Sequence, residues 1–271
     1  RIMGLLKELG RKILTEELYN HLRKTRDALV RVIDWPGLIL HPWRWESNRR
    51  LARFQARHQG KRCFIIGNGP SLKNTDMSLL KDEYTFGMNR VYLAFEEWGF
   101  QTDFLVSIND LVIQQCSQDF RKLDLPKFFS WRARKLLYSE GVPDQQTHFL
   151  YTTYSGPTFS QTVTGRFWEG ATVTYVCLQL AFCMGFQDVY LLGVDHSFET
   201  KGTPNQTVVS AGDDPNHFST KYFGKGFRWQ LPDLETSEIA YRMALDSYQT
   251  AGRNIYDATI GGKLEVFPKR D

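Results

Sequence analysis

The chain has 271 residues, enough for one large domain or two small ones, and is 42% hydrophobic, 14% aromatic and 24% charged, with a mean hydropathy of −0.40. These values exclude collagen, low-complexity disorder and a disulfide scaffold. The net charge of +4 hides an asymmetry, because residues 1–62 hold 15 Lys and Arg against 6 Asp and Glu while the rest hold 19 against 24. A basic arm thus precedes an acidic body, which disfavours a general nucleic-acid binder.

In chain order, residues 3–33 place leucine and isoleucine at three- and four-residue spacings, with Arg and Lys between them. That pattern predicts one or two amphipathic helices, broken by Asp34-Trp35-Pro36-Gly37. The expected division is an arm over 1–58 and a catalytic domain over 59–271. The arm's leucine stripe and positive face suit an anionic membrane surface, or else packing on the catalytic domain or on a second copy of the chain. The opening residues show no secretory leader, and the four cysteines (Cys63, Cys116, Cys177, Cys183) form no CxxC pair. Reduced thiols and a cytoplasmic location, peripheral at the inner face of the membrane, are therefore expected. The run 172–186 is too short to span a bilayer and contains Gln179.

From Lys61 onward, short apolar runs at 63–66, 85–88, 104–108, 127–131, 148–151, 189–192 and 254–256 read as strands. Helices are expected at 171–184, stopped by Gly185, and at 234–251, stopped by Gly252. The alternation predicts an α/β, Rossmann-like fold with a mainly parallel sheet and helices on both faces. Residues 196–233, rich in Gly, Pro, Asn, Asp and aromatics, lack periodicity and read as a lid.

The sharpest motif is Phe64-Ile65-Ile66-Gly67-Asn68-Gly69-Pro70-Ser71-Leu72. A buried strand enters two glycines that permit a tight turn, and Pro70 suits the first position of a helix whose free amides, about Ser71, favour an anionic ligand. The alternative is a ligand-free turn. The motif is neither GxGxxG nor GxxxxGK[ST]. Two further strands end in Asn89 and in Asn109-Asp110. Each asparagine is a base- or ribose-reading amide or simply a turn former or helix cap.

Asp195-His196 follows the strand at 189–192 and lies either at the pocket rim or in a plain turn. No DxD, zinc spacing or GxSxG occurs, and Asp110 and Asp213-Asp214 stand as metal ligands only against a turn and a solvated loop. With three of six histidines ahead of the catalytic domain and His148 in a strand, His196 and His217 are the candidate general bases, His217 first.

The segments 63–72, 189–195 and Gly252-Arg-Asn-Ile-Tyr-Asp-Ala-Thr-Ile-Gly-Gly-Lys-Leu-Glu-Val-Phe267 resemble the 6-hydroxymethylpterin diphosphokinase MptE-like family, which includes domains of motility accessory factor glycosyltransferases. The first two segments, with Asn89 and Asn109, also resemble bacterial sialyltransferases that use CMP-activated sialic acid. The likeness covers about residues 61–267. It implies that Gly67, Asn68, Gly69, Asn89 and Asn109 contact a nucleotide, with Pro70, Ser71 and Asp110 beside them. Gly170 and Thr172 would lie near the sugar or phosphates. In the sialyltransferases a His-Tyr pair is followed by a second, basic His; here His217-Phe218 leads into Ser219-Thr220-Lys221. The implied activity is transfer from a CMP-sugar to a glycan or lipid-linked acceptor without a cofactor. The alternatives are pyrophosphate transfer from ATP to a pterin with Mg²⁺, or a non-catalytic nucleotide-binding module.

Overall fold

The computed structural model describes Thr25, residues 40–199 and residues 202–270. The chain divides into two compact units, Arg1–Trp45 and Glu46–Asp271. The amphipathic helices expected over 3–33 lie outside the described residues, Thr25 alone excepted. The first described helix is α1 (Pro42–Leu51), followed by a 3₁₀ turn over Ala52–Phe54. The expected domain boundary at 58/59 falls inside the second unit. Ser47 and Phe54 explain why: the Ser47 hydroxyl accepts from the Phe149 N–H at 2.6 Å, and the Phe54 ring packs edge-on against Phe104 and Phe128.

The strands are β1 (Arg62–Ile66), β2 (Thr85–Met88), β3 (Phe104–Ser107), β4 (Lys127–Ser130), β5 (Thr147–Thr153) and β6 (Arg166–Trp168). They continue with β7 (Asp188–Leu192), β8 (Thr207–Val209), β9 (Arg228–Gln230) and β10 (Asn254–Asp257). Between them lie α2 (Phe95–Trp98), α3 (Asp110–Lys122), α4 (Arg134–Leu137), α5 (Val173–Met184) and α6 (Leu234–Thr250). Eight strands form one sheet in the order β10-β7-β1-β2-β3-β4-β5-β6, with every neighbouring pair parallel. β8 and β9 form a separate antiparallel pair.

Strands β2, β3 and β4 are buried at every position, which is why their centres, such as Phe104-Leu105-Val106 and Phe128-Phe129, show no alternation of apolar and polar residues. On one face Cys63, Ile65, Phe86, Val106 and Phe128 join the core built around α5. On the other, Phe129 meets Phe120 of α3 at 5.2 Å. The sheet thus carries helices on both faces, as expected. Even Lys127 is buried within β4, its ammonium held by the Leu123 carbonyl at 2.6 Å and by Asp144 at 3.0 Å.

Helix α5 is apolar all round because ten of its twelve residues are buried. The Thr172 side chain caps its start, and Gly185, at φ +93°, ends it in the left-handed conformation. Gln179 is tolerated in this core because its amide accepts from Ser160 N–H and donates to the Trp168 and Tyr175 carbonyls. Truncating a core leucine here, such as Leu180→Ala, would cost about 2–5 kcal/mol. The four cysteines are free and buried, and burial pushes the Cys183 thiol up to about 12. Among the described residues no helix is long and apolar enough to cross a membrane.

Two expectations change. Pro70 opens a five-residue 3₁₀ turn, Pro70–Asn74, rather than an α-helix. The stretch 196–233 is not a featureless lid: it contains the β8–β9 pair and buries Asp214, Asn216, Tyr222 and Trp229.

Candidate active site

β1 has β2 on one side and β7 on the other, so the chain's path through the sheet reverses between β1 and β7. In open α/β sheets, ligands bind in the crevice outside the carboxyl ends of strands at such a switch point. Here the two loops at that point are fastened together. Gly67 N–H donates to the Leu192 carbonyl at 2.6 Å and Gly69 N–H to the Gly193 carbonyl at 2.9 Å. The Ser71 hydroxyl and N–H both donate to the Asp195 carboxylate, at 2.7 and 3.2 Å. Only glycine fits this approach: a Cβ on Gly67 would stand 2.2 Å from the Gly193 oxygen, and one on Gly69 would stand 1.8 Å from Asp195.

This geometry corrects the expected role of the turn. The amides of Gly67, Gly69 and Ser71 are occupied, and the Asp195 carboxylate already fills the anion position at Pro70–Asn74. Asp195 therefore braces the turn.

The three asparagines differ sharply. Asn109 caps α3, its carbonyl oxygen accepting from Leu111 and Val112 N–H at 2.9 and 3.3 Å, while its amide donates to Gln230 at 3.2 Å. Asn89, at φ +50°, accepts from the Ser107 hydroxyl at 2.9 Å. Asn68 alone of the three has a buried Oδ1 with no hydrogen-bond partner. Such an atom costs about 1–3 kcal/mol unless something supplies its missing donor.

The lid segment meets this turn directly, since Phe218 N–H donates to the Asn68 carbonyl at 2.8 Å. One residue earlier, His217 Nδ1 lies 2.7 Å from Asp214 Oδ2. Asp214 is itself anchored by Asn216 N–H at 2.9 Å. The His217 ring stacks on Tyr222 at 4.1 Å and 8°, with Phe223 edge-on at 4.8 Å. A carboxylate holding Nδ1–H leaves Nε2 as the proton-accepting nitrogen, in a ring whose plane is fixed by aromatic packing. The Tyr222 hydroxyl accepts from Arg90 N–H at 3.3 Å, and the Arg90 guanidinium donates to the Tyr222 carbonyl. These bonds tie the segment to the ends of β1 and β2.

The remaining candidates lie elsewhere or serve the frame. Asp110 pairs with Arg132 at 3.1 Å, and Arg132 also binds Glu169, the Ile108 carbonyl and Thr152. Burial opposes that guanidinium's charge, but Glu169 and Asp110 raise its pKa above the usual arginine value. Gly170, at φ +51°, would place a Cβ 2.5 Å from that of Ala240, so its glycine is explained by helix packing. Thr172 caps α5. His196 pairs with Glu238 of α6 at 3.2 Å. Among the described residues no three His, Cys, Asp or Glu side chains gather to hold a metal ion.

Sequence reasoning missed Asp214 as a partner of His217, although its position three residues upstream was visible. It also missed Arg132 and Glu169, which stand 37 residues apart and meet only through the sheet.

No curated protein matches the chain. Among solved structures it is similar to a MAf glycosyltransferase from Magnetospirillum magneticum AMB-1, with a TM-score of 0.48 and 16% identity over 83% of this chain. The chain spans only 38% of that protein's length. A protein family described as 6-hydroxymethylpterin diphosphokinase MptE-like matches residues 44–201. That span runs from α1 past β7 and takes in the fastened turns and Asn68, Asn89, Asn109 and Asp195. Because the match extends over more than half of the 271 residues, the chain belongs to the 6-hydroxymethylpterin diphosphokinase MptE-like family.

Proposed function

We propose that the protein is a transferase that takes a sugar from a nucleotide-activated donor of the CMP-sugar type and passes it to a hydroxyl of a glycan or lipid-linked acceptor. One observation supports this reading: Phe218, next to the Asp214-paired His217, bonds through its backbone to Asn68, whose buried Oδ1 has no partner. Asn68 Oδ1 accepts from an amino or hydroxyl group of the nucleoside. His217 Nε2 takes the proton of the acceptor hydroxyl as that oxygen bonds to the anomeric carbon. The bond from that carbon to the phosphate oxygen breaks, and the nucleoside phosphate leaves with the electron pair. Arg90 and Lys221 supply positive charge to the departing phosphate at the same rim. Asp214 keeps the imidazole in the tautomer this step needs, and no metal is required. The setting would be cytoplasmic, with the basic residues within 1–58 holding the protein at the inner membrane face.

A second reading rests on the family match alone: pyrophosphate transfer from ATP to 6-hydroxymethylpterin, with Mg²⁺ neutralising phosphate charge. A turnover screen separates the two. CMP- and UDP-sugars with simple glycan acceptors are compared with ATP plus the pterin, in wild type and in His217→Ala. Release of CMP that depends on His217 supports the sugar reading. Formation of AMP with the pterin alone replaces it.

A further inference from the structure

At the opposite end of the sheet, the segment from Glu46 to Arg57 crosses the amino ends of β4 and β5. Its apolar side, with Ser47, Leu51 and Phe54, is buried against the strands. Its other side carries Arg49, Arg50, Arg53 and Arg57, spaced so that all four border one cavity of about 330 Å³. Glu46 is the single carboxylate on its wall. It holds Arg49 through two bonds, at 2.9 and 2.7 Å, and Arg50 through one at 2.8 Å, and those bonds pull its carboxyl down to about 2. Arg50 is further fixed by the Asp144 carbonyl at 2.8 Å. Arg53 and Arg57 have no ion pair among the described residues. Four guanidiniums therefore face one carboxylate, a net local charge of +3.

His148 also borders the cavity. The residue is only 3% exposed, and its Nδ1 is buried without a hydrogen-bond partner. A buried polar atom without a partner calls for an explanation, and beside excess positive charge a bound anion provides one. An oxyanion would supply both what Nδ1–H lacks and what the guanidiniums lack.

We propose that this cavity binds a phosphomonoester or diphosphate group, separately from the crevice at the carboxyl ends. Guanidinium forks match phosphate oxygens in pairs, and several of them around one point favour a multiply charged phosphate over a single carboxylate. The volume lies at the small end of ligand sites, which fits a phosphate or diphosphate with a small substituent. Such a group comes either on a soluble molecule or on a lipid headgroup.

The test uses inorganic pyrophosphate in calorimetry, and co-sedimentation with phosphatidylcholine vesicles with and without phosphatidylinositol 4-phosphate. Wild type is compared with the Arg53→Gln/Arg57→Gln double variant. Both positions are exposed, so the fold is retained, and an unchanged melting temperature and CMP affinity verify this. One-to-one pyrophosphate binding that weakens at least tenfold in the double variant supports the site. If vesicle binding also depends on the phosphoinositide and on both arginines, the source is a headgroup. If vesicles fail while pyrophosphate binds, the source is a soluble phosphate. No pyrophosphate binding, or equal binding by the double variant, overturns the proposal.

Discussion

At the carboxyl ends of β1 and β7, the Gly67 and Gly69 amides are already paired with the Leu192 and Gly193 carbonyls, and Ser71 with the Asp195 carboxylate. At the amino ends of β4 and β5, by contrast, Arg53 and Arg57 meet no carboxylate among the described residues and one imidazole nitrogen is orphaned. The first region is closed by short, geometrically exacting hydrogen bonds. The second is held open by charge. The difference teaches where ligand recognition resides in each. On the proposed function, recognition in the crevice falls on a few side-chain atoms, chiefly Asn68 Oδ1, which the frame leaves unpaired, and His217 Nε2. In the cavity the proposed phosphate recognition is electrostatic and would be screened by salt.

The largest expected effect sharpens the amino end. Burial, followed by the nearby Arg50 charge, pulls His148 down from 6.5 to about 4. Below pH 6.5 the unfolded chain takes up a proton at this ring that the folded chain refuses until about pH 4. Stability is therefore full above pH 6.5 and falls by about 3 kcal/mol as pH drops to 4. Urea melts of wild type and His148→Phe across that window check this. Only wild type should show the extra slope, and parallel slopes would remove His148 as the cause.

At the carboxyl end, His217→Ala should lower kcat about 100-fold or more while leaving CMP affinity nearly unchanged. A greater loss in His196→Ala would move the proton transfer to the His196–Glu238 pair. A smaller effect concerns the frame. Ser71→Ala removes a charge-assisted hydrogen bond to Asp195 and should cost about 1.5 kcal/mol of stability in denaturant melts. No loss would mean that the two loops are held by their backbone bonds alone.

The contrast between the ends also explains what was legible beforehand. Strands β1 to β5, β7 and β10 were readable from short β-branched and aromatic runs such as Phe64-Ile65-Ile66 and Val189-Tyr190-Leu191-Leu192. Burial at every position in β2, β3 and β4 leaves their runs without alternation. Strand β6 was missed because three residues, Arg166–Trp168, carry no period. Helix α3 was missed although Val112, Ile113, Cys116 and Phe120 form its buried stripe; Asn109, weighed both as a nucleotide-reading amide and as a helix cap, caps it. The glycine turn was legible as a close approach, but its partner was not a ligand. Nothing local marks Asp195, 124 residues away, as the carboxylate it would receive. The arginines of 49–57 were visible as charge, yet the cavity they border depends on His148 arriving from β5.

Chelation gives the smallest expected change. Sugar transfer should keep its rate in EDTA, since Asp110 and Asp214 are both engaged with Arg132 and His217. Complete loss, restored by Mg²⁺, would shift the account to pyrophosphate transfer.

The central claim is that the unpaired Asn68 oxygen at the switch point reads the nucleotide. Calorimetric titration of CMP into wild type and Asn68→Ala tests it most directly. The account predicts saturable one-to-one binding by wild type and a loss of about 1–3 kcal/mol in the variant, with the fold intact by circular dichroism. Equal CMP affinity in the two proteins would contradict it and remove the nucleotide from this turn.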